Sequence, residues 1–190
     1  PFDVFNRVNV FEPQEEKTGV TAFRMQIPLG MTSSLDLVFS PETTSDESRA
    51  GARVVWNTLG TEFTVNAIHN VITTFSQNIA GFSLKTDLFV GFWFEGAYFH
   101  EKPLPGRIFD SRYYSRWLAG MDYSYTVFRK RLYLSAEYTH DESGVSDKNY
   151  YDFAGAAASG KSLLAEDYLY ASAQLTYNDF TGYSMSFFMN

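Results

Sequence analysis

Apolar and polar residues alternate along much of this chain. Near the start, for example, Phe23 and Met25 alternate with Arg24 and Gln26. A period of two is the pattern of a β-strand whose two faces meet different surroundings. Ten segments carry it, bounded by clusters of Gly, Pro, Asn, Asp and Ser. The predicted strands are Ala22–Leu29, Ser34–Ser40, Ala50–Asn57, Glu62–His69, Ala80–Lys85, Phe89–Phe99, Tyr113–Val127, Leu132–His140, Tyr168–Tyr177 and Ser184–Asn190.

The connections between these segments alternate in length. The short ones are GMTS, TLGT, FRKR and NDFTGY, and the long ones are PETTSDESR, NVITTFSQNI, HEKPLPGRIFDSR and the stretch Asp141 to Asp167. A tight turn near KTDL completes the alternation; without that turn, Ala80 to Phe99 is one very long strand. An antiparallel up-and-down meander with short turns at one end and long loops at the other is typical of a transmembrane β-barrel of the outer membrane.

The two faces of the predicted strands differ in chemistry. One face is apolar and is expected to meet lipid; the other is polar and is expected to line a wet lumen. The candidate lumen residues, which would set selectivity, are Arg24, Asp36, Arg53, Glu62, Lys85, Glu95, Arg116, Asp122 and Glu137. Aromatic residues of the apolar face gather near strand ends, as in the interfacial girdles of a barrel. These are Tyr98, Trp117 and Tyr138 toward the long loops, and Trp56, Tyr125 and Tyr177 toward the short turns.

A soluble antiparallel sheet with one dry and one wet face gives the same alternation. Two features favour the membrane barrel over that alternative. The first is the alternation of loop lengths, which a soluble sandwich does not need. The second is the aromatic content of 18%, with 13 Tyr and 18 Phe, since aromatic side chains suit a pleated, half-buried surface.

Charge and composition remove several other classes. A net charge of -7 without a long basic run argues against nucleic acid, whose phosphates need clustered Lys and Arg. The absence of cysteine excludes disulfides and thiolate chemistry. No apolar run approaches the roughly 20 residues of a membrane helix, so any span must be made of strands.

The chain is predicted to be a single β-barrel domain over residues 1–190 that is incomplete at both ends. It lacks a Met at position 1, and its last strand stops at Asn190 without a turn. Residues 1–19 are expected to be a leading loop segment, and residues 141–167 a long extracellular loop.

The chain resembles porin-like outer-membrane β-barrels of Gram-negative bacteria. The resemblance lies in the opening Pro-Phe-Asp, in Pro13, and in Lys17-Thr18-Gly19-Val20 running into the first strand, and later in LDLVFSPE, FWFEGAYF, AGMDYSY and LYLSAEYTH. It implies a barrel longer than these ten strands, with a lumen that passes or holds solutes. It supplies no catalytic residues.

One motif points elsewhere. Gly155 to Ser162, GAAASGKS, matches the phosphate-loop pattern G-x-x-x-x-G-K-S. That chemistry needs a buried parallel strand before the motif and a long helix after it, and neither is predicted. Nucleotide binding is therefore rejected in favour of the small-residue tip of an exposed loop.

The arrangement of the titratable residues suggests a structural role rather than a catalytic one. Asp122 and Glu137 are predicted to lie nearly opposite each other, either as a divalent-ion or acid–base pair or, as we favour, in a lumen charge ladder with Arg116 or another neighbour. Further cross-strand pairs are expected between Arg24 and Asp36 and between Asn57 and Glu62. The histidines, His69, His100 and His140, fall at strand ends without zinc or hydrolase spacing.

The sequence thus predicts a channel of the bacterial outer membrane for small polar solutes. Its partners are membrane lipid and those solutes, and no enzyme activity, cofactor or metal is expected. The alternative function is a soluble β-barrel or sandwich that binds an apolar ligand.

Overall fold

The protein folds into one antiparallel sheet of ten strands, in the order in which they occur along the chain. A computed structural model describes residues 21–41, 48–72, 75–104, 110–128, 130–153, 164–178 and 181–190. The strands are β1 (Phe23–Pro28), β2 (Ser33–Pro41), β3 (Ser48–Thr58), β4 (Thr61–Ile72), β5 (Phe75–Asp87), β6 (Gly91–Pro103), β7 (Arg112–Val127), β8 (Lys130–Asp141), β9 (Asp167–Asn178) and β10 (Thr181–Met189). The predicted all-β, up-and-down meander is confirmed, and each predicted strand has its counterpart.

Tight hairpins join the strands at the end where short turns are predicted. Between β3 and β4, Leu59 and Gly60 have φ values of 50° and 75°. Positive φ at both central residues is the mark of a type I′ turn, whose twist matches that of the flanking strands. Between β5 and β6 only residues 88–90 intervene. Ala80 to Phe99 is therefore a hairpin, and the alternative of a single long strand is wrong.

One predicted long loop is also wrong. In NVITTFSQNI, β4 continues to Ile72, β5 begins at Phe75, and these two residues pair across the hairpin. The β-branched Val71 and Ile72 and the aromatic Phe75 suit a pleated strand, so both strands extend into the segment expected to be loop. The strict alternation of loop lengths therefore fails here, whereas 104–111 and 142–166 are longer connections as expected.

The sheet has two chemically different faces, fixed by the cross-strand register. We call the side that carries Arg24, Arg53 and Arg116 the polar face, and the side that carries Phe23 and Leu134 the apolar face. A single row of register partners crosses seven strands on the polar face: Asp36, Arg53, Asn66, Gly81, Ala97, Arg116 and Asp141. Because register partners share a face, the register extends the alternation seen in each strand to the whole sheet.

Burial is distributed in an unusual way between these faces. The buried polar residues Asp36, Ser40, Thr64, Asn70 and Asp141 all lie on the polar face. A small apolar cluster of Ile79, Ala97 and Phe99 is buried on that same face, against Ile68 and Tyr114. The apolar face, in contrast, is largely exposed. Polar groups inside and apolar groups outside reverse the usual preference of residues in a soluble domain.

Helical structure is minimal in the described residues. A 3₁₀ turn covers Lys148–Tyr150, and Asp147 caps it by accepting a hydrogen bond from the backbone N–H of Asn149. None of the helices described in the chain is long and apolar enough to cross a membrane. The leading segment 1–19 and the phosphate-loop match Gly155–Ser162 lie outside the described residues, so both remain predictions.

Candidate functional site

The polar face gathers the charged residues singled out in the sequence. The register places nine charged residues on this face. They are Arg24, Asp36, Arg53, Glu62, Lys85, Glu95, Arg116, Asp122 and Glu137. Seven of the nine line one cavity of about 860 Å³, to which β1 through β7 all contribute. Because Arg24 of β1 and Asp122 of β7 border the same space, the sheet curls around its polar face. Arg116 and Glu137 lie outside this cavity.

A carboxylate shared by two arginines lies on the β1–β3 side of the cavity. Asp36 accepts from Arg24 and from Arg53, each at 2.9 Å and each through a different carboxylate oxygen. The Asp36 side chain is only 5% exposed, so its charge needs partners that offset the loss of water. The expected Arg24–Asp36 pair is confirmed, and the second arginine leaves this cluster with a net positive charge.

A second buried ion pair lies where β7 and β8 reach the long connection. Arg116 donates to one oxygen of Asp141 from Nε at 3.0 Å and from Nη2 at 2.6 Å. The other oxygen accepts from the backbone N–H of Ser143 at 2.9 Å and from its hydroxyl at 2.6 Å. The Asp141 side chain is fully buried. Charge-assisted bonds of this kind are among the strongest that side chains make, and here they fasten the start of the 142–166 connection to the sheet.

Backbone bonds reinforce this attachment of the long connection. The N–H of Asp141 donates to the Glu166 carbonyl at 2.7 Å, and the N–H of Val145 donates to the Leu164 carbonyl at 2.9 Å. The Tyr168 hydroxyl accepts from the backbone N–H groups of Leu164 and Ala165, both at 2.6 Å. The two described ends of the connection are therefore held together beside the sheet.

Asp141 was missed as a site residue because the sequence reading assigned it to a loop. Its signal was available, since it follows Glu137 and Thr139 at period two on the charged side of β8. A second missed group lies nearby on the polar face. There the Tyr114 hydroxyl and Gln77 Nε2 donate to the same Glu101 oxygen, at 2.9 and 2.8 Å.

Asp122 and Glu137 are not directly opposite each other. The register pairs Asp122 with Ser135 and Glu137 with Gly120, so the two carboxylates are diagonal neighbours on one face. The turn that precedes β8 comes one position earlier than the sequence suggested, which produces this offset. Asp122 accepts from the Tyr133 hydroxyl at 3.0 Å. Arg116, one cation expected in the charge ladder, forms an ion pair with Asp141.

Glu137 is held by an aromatic side chain that crosses a glycine. Trp93, Gly120 and Glu137 are successive register partners on β6, β7 and β8. The Trp93 indole lies over Gly120, where a Cβ atom would overlap the ring, and its Nε1 donates to Glu137 at 3.2 Å. Gly120 therefore provides the space that lets a tryptophan reach across a whole strand.

The expected Asn57–Glu62 pair is a register pair, and the Asn57 amide donates to the Thr32 carbonyl.

The six predicted girdle aromatics all lie on the apolar face. Toward the long connections, Trp117 packs on Tyr138 with ring centroids 5.2 Å apart, and Tyr98 packs on Tyr113 at 6.1 Å. Toward the short turns, Trp56 stacks on Phe63 at 5.4 Å. There, Tyr125 stacks on Tyr123 and the Lys130 ammonium lies 3.6 Å from the centre of the Tyr177 ring.

The three histidines also lie on the apolar face, at its end near the long connections. His69 Nδ1 is 2.8 Å from the Asn78 side-chain oxygen, His100 stacks on Tyr113 at 4.2 Å, and His140 Nδ1 is 2.8 Å from Asp167. His69, Asn78, His100 and Tyr113 are successive register partners. They form a polar and aromatic row that bounds the apolar face. Among the described residues, no three His, Asp or Glu side chains come together as a metal site.

No family model, curated protein or solved structure matches the chain.

Proposed function

We propose that this chain forms the wall of a β-barrel channel in the outer membrane of a Gram-negative bacterium, through which small polar solutes pass. The observation that carries the proposal is the exposed apolar face. Large apolar side chains are about one third to three quarters exposed along it, from Phe23 on β1 through Met121 and Leu134 to Met185 and Phe187 on β10.

The size and continuity of the apolar face support a lipid environment. Soluble monomers rarely expose an apolar patch larger than a few hundred Å², whereas this face extends across all ten strands. In a bilayer the backbone groups must be satisfied by other strands, and lipid-facing side chains must be apolar. Strands β2 through β9 pair on both sides and turn their apolar side chains outward, which meets both conditions. The outer edges of β1 and β10 need partner strands in the proposed barrel.

The polar face supports passage of polar solutes. The 860 Å³ cavity is bordered by three cationic and five anionic side chains, the cations being Arg24, Arg53 and Lys85 and the anions Asp36, Glu62, Asp87, Glu95 and Asp122. Charged side chains that line a wet path select among solutes by charge without forming a covalent intermediate. An apolar ligand would have to displace water from these charges without replacing their hydrogen bonds. We therefore favour polar solutes over an apolar ligand as the occupants of this cavity.

The test is to reconstitute the full chain. We expect it to require detergent, to fold into lipid vesicles with strand-rich circular dichroism, and to make those vesicles swell in small neutral sugars but not in large ones. Vesicles refolded with the Leu134→Arg variant are the matched control, because a charge on the apolar face should destabilise the inserted protein and reduce the solute flux. A monodisperse species in detergent-free buffer contradicts the membrane proposal. Inserted protein without solute flux contradicts the channel proposal alone.

A further inference from the structure

The short turns carry an unusual set of side chains. We define the turn rim as the large apolar residues of the connections β1–β2, β3–β4, β5–β6 and β7–β8, which are Leu29, Met31, Leu59, Leu88, Phe89, Val90 and Phe128. Val90 is 39% exposed and every other member is at least 58% exposed, with Met31, Leu59, Phe89 and Phe128 almost completely exposed. Because the strands alternate in direction, all four connections lie at the same end of the sheet.

These residues are energetically unfavourable in turns that are exposed to water. Leu59 and Phe128 have φ values of 50° and 47°, a left-handed conformation that is a genuine outlier for bulky side chains and that Gly, Asn or Asp adopt more easily. Exposure of a large apolar side chain adds a second cost. The cost of exposure recurs on separate hairpins, which points to surroundings in which the apolar tips are covered.

The length of the apolar face indicates what covers them. On β4 this face runs from the polar row at His69 to Thr61, and on β5 from Asn78 to Thr86. At about 3.3 Å per residue and a strand tilt of about 40°, these eight steps span about 20 Å across a membrane, short of the apolar band of about 25 Å in outer-membrane barrels. The turns add about two further steps on each hairpin, which brings the span to about 25 Å.

The carboxylates near the turns lie away from the apolar face, as an apolar band that includes the turns requires. Glu62 and Asp87, the carboxylates of the strand ends beside the described turns, lie on the polar face. Asp122, the register partner of Gly91 at the start of β6, lies on the same face. On the apolar face, Lys130 lies over the Tyr177 ring and donates to the Tyr177 carbonyl at 2.7 Å. The ring and the carbonyl thus hold the Lys130 ammonium at the turn end of the apolar face.

The arrangement of the tips favours lipid over a protein. Successive short turns are two strand spacings apart, or roughly 10 Å, so the tips form separate points along the edge of a curved sheet. A bilayer can cover each tip independently, whereas a protein partner needs a contiguous surface. The turn rim is also continuous with the apolar face at every hairpin.

We propose that the turn rim is immersed in the phospholipid leaflet on the short-turn side and that it completes the membrane-spanning apolar band. This proposal rests on the proposed function, because it requires the apolar face to be in a bilayer. It differs from the expectation that such turns protrude into water.

The absence of cysteine in the sequence allows a direct test. Single-cysteine variants Met31→Cys and Phe89→Cys, on separate hairpins, are labelled with an environment-sensitive fluorophore and reconstituted into phosphatidylcholine vesicles. Quenching is measured with aqueous iodide and with phosphatidylcholine that carries a nitroxide on its acyl chain. Leu134→Cys is the control for the middle of the apolar face, and Asn149→Cys is the control for the long connection.

We expect both rim probes to behave like the Leu134 probe, with blue-shifted emission, strong quenching by the nitroxide lipid, and iodide quenching several-fold weaker than at Asn149. If the Leu134 probe is in lipid but the rim probes are quenched by iodide, the rim proposal is overturned and the membrane proposal stands. Rim probes shielded from both quenchers are covered by protein, which also overturns it. If the Leu134 probe itself is open to iodide, both proposals fail.

Discussion

Leu134 and Glu137 lie three residues apart on β8, yet their surroundings are opposite. Leu134 is 41% exposed on the apolar face, although an apolar side chain in water gains nothing from exposure. Glu137 lies on the polar face and accepts a hydrogen bond from Trp93. The fold therefore turns its polar contacts inward and its apolar surface outward. The two faces should therefore respond in opposite ways to changes in charge.

The largest effect is expected on the polar face, at the buried ion pair. Replacing Arg116 by Met leaves the fully buried Asp141 carboxylate without its cation, and breaking one side of such a pair costs about 3 to 5 kcal/mol. The free energy of unfolding, measured by urea titration in vesicles, should fall by that amount. The double variant Arg116→Met/Asp141→Asn should recover part of the loss. A single variant as stable as the parent would show that the pair is solvated.

The next largest effect is expected on the apolar face. Leu134→Arg should cost about 2 to 4 kcal/mol of folding free energy if the position is near the bilayer midplane, because the guanidinium must shed water or draw it into lipid. The matched control is Ser135→Arg, one residue away on the polar face, where the new charge would lie beside its register partner Asp122. Equal losses for the two variants would mean that both faces meet the same surroundings.

A smaller effect is expected at the shared carboxylate. Asp36→Asn leaves Arg24 and Arg53 beside each other without an anion, and loss of hydrogen bonds to charged groups costs about 1.5 to 3 kcal/mol. The same change adds one positive charge to the cavity, so the reversal potential across a planar bilayer should shift toward anions. An unchanged reversal potential would place Asp36 outside the path of the ions.

The smallest effect on folding is expected for Glu137→Gln. Glutamine keeps an oxygen that can accept the hydrogen bond from Trp93. The free energy of unfolding should therefore change by no more than about 0.5 kcal/mol. One negative charge is lost, and cation selectivity should decrease in the same bilayer assay. If Glu137→Gln abolishes folding while Leu134→Arg folds normally, the two faces have been assigned the wrong way round.

The sequence predicted the strands and their faces well because both depend on local pattern. In β1, Phe23, Met25 and Ile27 point one way and Arg24 and Gln26 the other wherever the strand pairs. The β4–β5 hairpin was missed because Thr73 and Thr74 lack the Asn-Gly or Asp-Gly signal of a tight turn.

Contacts between side chains were predicted less well, because they depend on register. A shift of one position at the β7–β8 turn separates Asp122 from Glu137 and gives Arg116 a different partner, Asp141. The reach of Trp93 over Gly120 depends on three strands at once. Curvature of the sheet, which brings Arg24 and Asp122 to one cavity, has no local signature in the sequence.

The sequential strand order has a consequence for the rate of folding. Each strand pairs only with its neighbours along the chain in the described sheet, so most of its contacts close short loops, and proteins rich in local contacts fold fast for their size. The β8–β9 step is different, because residues 142–166 must be closed before Asp141 can meet Glu166. Loop closure becomes less favourable with length. We therefore expect the hairpins before β9 to form first and the docking of β9 on β8 to be the slow step of the sheet.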